Sequence, residues 1–116
     1  MEQPTEPTQQ RISFEDFLKL DIRIGKITNI EDIANADKLY KITISLGTSE
    51  RTVAAGLKNY YTKEQLLGKK VAILTNLERR TIRGVVSDGM LLAADDGKNV
   101  KLLTVDDEVS LGSKVR

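Results

Sequence analysis

A small, mainly β barrel is predicted by three features of the sequence. Apolar residues recur at a period of two, glycines and Asp-rich turns break the chain into short segments, and only two segments carry helix-start signals. At 116 residues and 40% hydrophobic content, the chain can bury one core and not two ordinary ones.

The elements follow in order. Residues 1–11 hold both prolines, Pro4 and Pro7, among Glu, Gln and Thr, and are expected to be a flexible tail. The domain is placed at 12–116. Ser13 is a good N-cap with acidic charge in the turn after it, and Ile12 and Phe17 stand at staple positions. A short helix packing Phe14, Phe17 and Leu18 inward is expected. From Asp21 the period is two, with Ile22 and Ile24 on one face. After Gly25 the parity flips to Ile27, which reads as a bulge or bend in a long strand. Tyr40, Ile42, Ile44 and Leu46 alternate with polar residues in the cleanest half-buried strand of the chain. Gly47-Thr48-Ser49 turns into a third strand over residues 51–55. Thr62-Lys63-Glu64-Gln65 is a capping-box sequence, and Gly68 stops that second short helix. A fourth strand is expected over 71–77, and a fifth lies within 85–94, interrupted by Ser87-Asp88-Gly89. Asp95-Asp96-Gly97-Lys98 is a turn, and 100–115 supplies one or two further short strands. Three strands, a short helix, then two strands is the order of the five-stranded OB barrel, whose helix bridges strands three and four.

Composition closes several functional classes. Histidine and cysteine are absent, which removes imidazole acid–base chemistry, thiolate nucleophiles and the usual zinc sites. There is no P-loop, GxGxxG or GxSxG pattern, and the paired aspartates read as turns first. No enzyme, no metal site and no cofactor are expected. No apolar run approaches the ~20 residues of a membrane span, and the acidic start is no secretory signal. A cytoplasmic protein without a membrane partner is expected.

Charge is unevenly spread. Residues 17–94 carry thirteen basic and eight acidic side chains, whereas residues 1–16 carry one and four. A basic middle points to an anionic partner. Its densest part is Arg79, Arg80 and Arg83, answered locally by Glu78 alone. Guanidinium groups bind phosphate through paired donors, although a solvated loop with surface ion pairs would have the same composition. Ser87-Asp88-Gly89 either aims Ser87 or Met90 at a ligand or is a bulge that closes the barrel. Asn76 either caps a turn or bonds a ribose or base. Lys69-Lys70 marks a solvated strand start. Only three tyrosines and two phenylalanines are present, too few for a base-stacking platform. An RNA partner would then be read through its backbone and folded shape.

The chain also resembles a known family. Phe14-Glu15-Asp16-Phe17, Asp21-Ile22-Arg23-Ile24-Gly25-Lys26-Ile27, Ala36-Asp37-Lys38-Leu39-Tyr40, Asn76-Leu77 through Arg83-Gly84, and Ser87-Asp88-Gly89-Met90-Leu91-Leu92-Ala93-Ala94 are similar to successive motifs of the tRNA-binding domain family. Ile33-Ala34, Glu78-Arg79 and Asp88 depart from the family's commoner His-Pro, Lys-Pro and Glu or Gln. The resemblance implies an OB barrel that binds folded tRNA without catalysis. It implies a homodimer built from terminal elements, free-standing or as the beta subunit or trans-acting domain of a methionyl-tRNA synthetase. By motif, Arg79, Arg80 and Arg83 become phosphate contacts, with Lys38 and Lys26 as lesser ones. Asn76, Ser87 and Met90 shape the RNA-facing surface. A peptide-binding, secretion-related chaperone of the same family and a dimerisation module for a synthetase are the rival readings.

Overall fold

Helix α1 (Phe14–Leu18) opens the computed structural model, which describes residues 9–116. Most of the expected tail lies outside the described residues. The Ser13 Oγ accepts a hydrogen bond from the Asp16 amide at 3.0 Å, as its position in the sequence requires. The helix does not pack inward, however. Phe14 is 72% and Leu18 51% exposed, and Phe14 stacks on its helix neighbour Phe17, 6.3 Å between ring centroids. The cause is that strand residues already fill the interior, which leaves the helix outside the barrel.

Strands β1 (Ile22–Asp32), β2 (Tyr40–Ser45) and β3 (Glu50–Ala55) precede helix α2 (Lys63–Leu66) and strand β4 (Lys70–Leu74). Then come β5 (Arg80–Ile82), β6 (Val85–Ser87), β7 (Met90–Leu91), β8 (Ala93–Asp95) and β9 (Val100–Leu102). The main sheet is antiparallel with the order β3-β2-β1-β4-β7. Its two edges approach each other through the residues that interrupt the fifth predicted strand. The Asp88 amide donates to the Thr52 carbonyl at 2.8 Å, and the Ala54 amide donates to Ser87 Oγ at 3.0 Å. Ser87-Asp88-Gly89 is therefore the bend that brings the sheet to a nearly closed five-stranded barrel of the OB kind.

The predicted alternation of β2 is observed, with Tyr40, Ile42 and Ile44 buried. Ile27, Ile42, Ile44, Val53, Leu66, Val71 and Ile73 are the largest fully buried side chains. Helix α2 carries the full capping box, Thr62 Oγ1 accepting from the Gln65 amide and Gln65 Oε1 from the Thr62 amide. It places Leu66 in that core.

The first strand corrects the sequence reading. Gly25 pairs in register with Val71, and the irregularity falls between Ile27 and Asn29, where Thr28 is the extra residue. Glycine stands at 25 because Ile44 Cγ2 occupies the space a side chain would need, with the Ser45 carbonyl oxygen 3.0 Å from the position of an added Cβ. Gly25→Ala is expected to lower stability by about 1–3 kcal/mol, the usual cost of overpacking, read as a lower urea midpoint. An unchanged midpoint would mean that the β1–β2 contact yields freely.

Candidate nucleic-acid interface

The arginine-rich segment, expected as a loop between the fourth and fifth strands, is a β-hairpin. Strands β5 and β6 pair as Arg80 with Ser87, Thr81 with Val86 and Ile82 with Val85. The two-residue turn is Arg83-Gly84, at φ 52° and 83°. Positive φ at both positions is what a twisted hairpin turn demands. Arg83 therefore projects from a tip whose glycine partner makes the turn possible.

Asp88 organises the hairpin base. Arg51 Nη1 donates to Asp88 Oδ2 at 3.2 Å and to the Thr75 carbonyl at 3.2 Å, while Arg79 Nε lies 3.4 Å from the same carboxylate oxygen. Arg79 is tethered in this way. The side chains of Arg80 and Arg83 are exposed and, among the described residues, have neither an ion pair nor a hydrogen-bonding partner. Two guanidinium groups held on a rigid hairpin without counter-charges suit phosphate oxygens.

The remaining predicted site residues divide into groups. Arg80, Ser87 and Met90 line one cleft of about 360 Å³, floored by Leu57, Leu91 and Leu102. Ser87 itself is buried, and its hydroxyl is engaged by β3, so it anchors the hairpin. Arg83 and Lys38 share a second cleft with Asn35, Ala36, Asp37 and Leu39. Asn76 stands apart, its Nδ2 donating to the Lys19 carbonyl at 2.6 Å and its Oδ1 accepting from the Asp21 amide at 2.9 Å. Of the two roles open to it, it takes the structural one and ties the α1–β1 connection to the end of β4. Lys26 is not gathered with the arginines. It pairs across the sheet with Ser45 and Lys70, near the Glu108 carboxylate. Arg51 is a residue the sequence reading missed. Its strand pattern marked it only as a polar position, because its partners lie 24 and 37 residues away.

Several carboxylates outside the hairpin are held below their ordinary pKa. The cause is the Arg23 hydrogen bond for Asp21, Lys63 and then Lys58 for Asp32, the backbone amides of Asn99 and Lys98 for Asp96, and Lys70 for Glu108. Groups depressed in the folded state stabilise above the unfolded carboxylate range and lose that contribution as pH falls through their folded values. No histidine is present to titrate in between. The urea midpoint is therefore expected to stay level from about pH 8 to 6 and to fall below about pH 4. A drop between pH 8 and 6 would contradict this.

The fold and the site define an OB-type barrel with an exposed arginine hairpin beside an open cleft, a combination suited to anionic partners. The sequence pattern of the family described as "Putative tRNA binding domain" matches residues 22–114, and the chain belongs to this family. Methionine--tRNA ligase of Pyrococcus horikoshii is 57% identical over 111 residues, covering 96% of this chain and 15% of that protein. The same ligase of Nanoarchaeum equitans is 56% identical over 105 residues, covering 90% of this chain and 14% of that protein. The chain thus spans roughly a seventh of the length of these curated relatives. Among solved structures, the MetRS related protein from Pyrococcus horikoshii superposes with a TM-score of 0.87 at 31% identity, covering 93% of this chain and 100% of that one. The chaperone CsaA from Bacillus anthracis gives 0.84 at 27% identity, covering 92% and 100%. Among the described residues, no helix is long and apolar enough to cross a membrane.

Proposed function

We propose that the chain is a non-catalytic tRNA-binding domain, spanning residues 12–116, that grips folded tRNA by phosphate contacts from Arg79, Arg80 and Arg83. Lys38 joins them from the neighbouring loop, and Lys26 adds a distant, weaker contact. Ser87 holds the hairpin that presents these groups, Asn76 shapes the surface from outside it by fixing the end of β4, and Met90 lines the cleft with Arg80. The observation that carries the reading is the pair of exposed guanidiniums, Arg80 and Arg83, which have no partner among the described residues, on a hairpin fixed to the barrel wall. With few phosphates neutralised, one barrel binds weakly, and log K falls by roughly 0.7–0.9 per contact with log salt.

Useful affinity then comes from a homodimer. Ile12, Phe14, Leu18 and Leu20 leave an apolar flank exposed along α1 and the residues beside it. A second copy is the occupant that would put two arginine hairpins on one body. Such a domain serves as the beta subunit or trans-acting part of a methionyl-tRNA synthetase in the cytoplasm. The decisive experiment is a gel shift in which intact tRNA, but not unfolded single-stranded RNA of equal length, co-migrates with the protein. Equal retention of both would overturn recognition by shape.

The likeness to CsaA, together with the apolar floor of Leu57, Leu91 and Leu102, favours one second reading, a peptide-binding chaperone. An unfolded peptide that displaces tRNA only at great excess rejects it; one that binds tightly where tRNA does not supports it. A pure dimerisation module for a synthetase would leave a partner enzyme fully active after charge reversal at the hairpin.

A further inference from the structure

A second basic surface lies around the tyrosines next to α2. Lys69 Nζ is 5.8 Å and Lys101 Nζ 5.5 Å from the centre of the Tyr61 ring. These residues are 32 positions apart in sequence, Lys69 just before β4 and Lys101 on β9, and both reach the same tyrosine. The ring is fixed, for its hydroxyl accepts from the Leu102 amide at 3.1 Å and its carbonyl accepts from the Tyr40 hydroxyl at 2.9 Å. Among the described residues neither lysine has a carboxylate partner. Two ammonium groups at one ring concentrate positive charge that no described carboxylate answers, and the aromatic contact already restrains both side chains.

A chain of contacts links this surface to the hairpin. Arg83 at the tip shares its cleft with Lys38. The Lys38 carbonyl accepts from the Lys58 amide at 3.3 Å, and Lys58 Nζ sits 5.9 Å from the centre of the Tyr40 ring, the ring whose hydroxyl reaches Tyr61. The acids along the way are Asp37, Asp32 and Glu64. Asp32 is shared by Lys58 at 3.0 Å and Lys63 at 2.9 Å, so one carboxylate faces two cations.

We propose that Lys69 and Lys101, held over Tyr61, form a second phosphate-binding patch that continues the arginine hairpin around the barrel, so that one RNA is gripped at two separated places. The inference rests on the reading of the chain as a tRNA binder and adds to it the extent of the RNA footprint. A chain bound only at the hairpin would leave this patch in water. A backbone tracking past Lys38 reaches it.

The test is a salt titration of intact tRNA binding to the unaltered protein, to Lys69→Gln/Lys101→Gln, and to Arg80→Glu/Arg83→Glu. Lys101→Gln alone, on an exposed strand position, serves as the milder variant should the pair fold poorly. The lysine pair is expected to reduce the slope of log K against log salt by about 1.4–1.8, from two contacts at 0.7–0.9 each. The affinity loss should be on the order of tenfold or more near 0.1 M salt, and Lys69→Arg/Lys101→Arg should restore binding. An unchanged slope and affinity in the lysine pair, with loss in the arginine pair, would overturn the patch alone. Failure of the unaltered protein to bind tRNA would overturn both the patch and the reading beneath it.

Discussion

Arg80→Glu with Arg83→Glu is expected to abolish tRNA retention in a gel shift, with an affinity loss beyond about a hundredfold. Each guanidinium–phosphate contact contributes roughly 1.5–3 kcal/mol as a charge-assisted hydrogen bond, and reversal adds repulsion to the loss of attraction. Both side chains are exposed and engage no other described residue, so the fold has little to lose from the change. Arg83 stands at φ 52°, where glutamate is no worse tolerated than arginine. An unchanged circular dichroism melt alongside lost binding is the expected result. Full binding by this variant would remove the hairpin from the interface.

The second large effect is expected from Phe14→Glu with Leu18→Glu. If α1 meets its counterpart in a second copy, two carboxylates at positions now 72% and 51% exposed would split the dimer without disturbing a core they do not belong to. Light scattering should report the monomer mass. Loss of the paired hairpins should weaken tRNA binding by about 10²-fold or more, the lower end of the gain that two linked sites give. A variant that remains dimeric would move the interface elsewhere. A monomer that keeps full affinity would show that one barrel suffices.

Local chemistry explains why so much of the barrel could be anticipated. Tyr40, Ile42 and Ile44 announce a strand because each lies on one face of a pleat, and Thr62 with Gln65 announces a helix because both halves of its cap lie within four residues. Gly25 was misread for the converse reason. Its parity break has a local look, but the side chain that excludes a Cβ belongs to Ile44 on the next strand. The exposure of Phe14 was hidden as well, since whether an amphipathic turn lands on the core depends on what already fills that core.

The arginine cluster was legible as composition and its neighbours were not. Three arginines within five residues declare a concentration of positive charge in any conformation. What the sequence by itself determined was a single mainly β domain with a capped helix after its third strand and a basic segment near its fourth. Tertiary structure alone decided that Arg79 is bound to Asp88 while the side chains of Arg80 and Arg83 have no partner among the described residues, that Asn76 serves the backbone, and that Lys69 and Lys101 both reach Tyr61. Periodicity and capping act over a few residues and can be read along the chain, whereas charge pairing and cleft formation act through space between segments that only the closed barrel brings together.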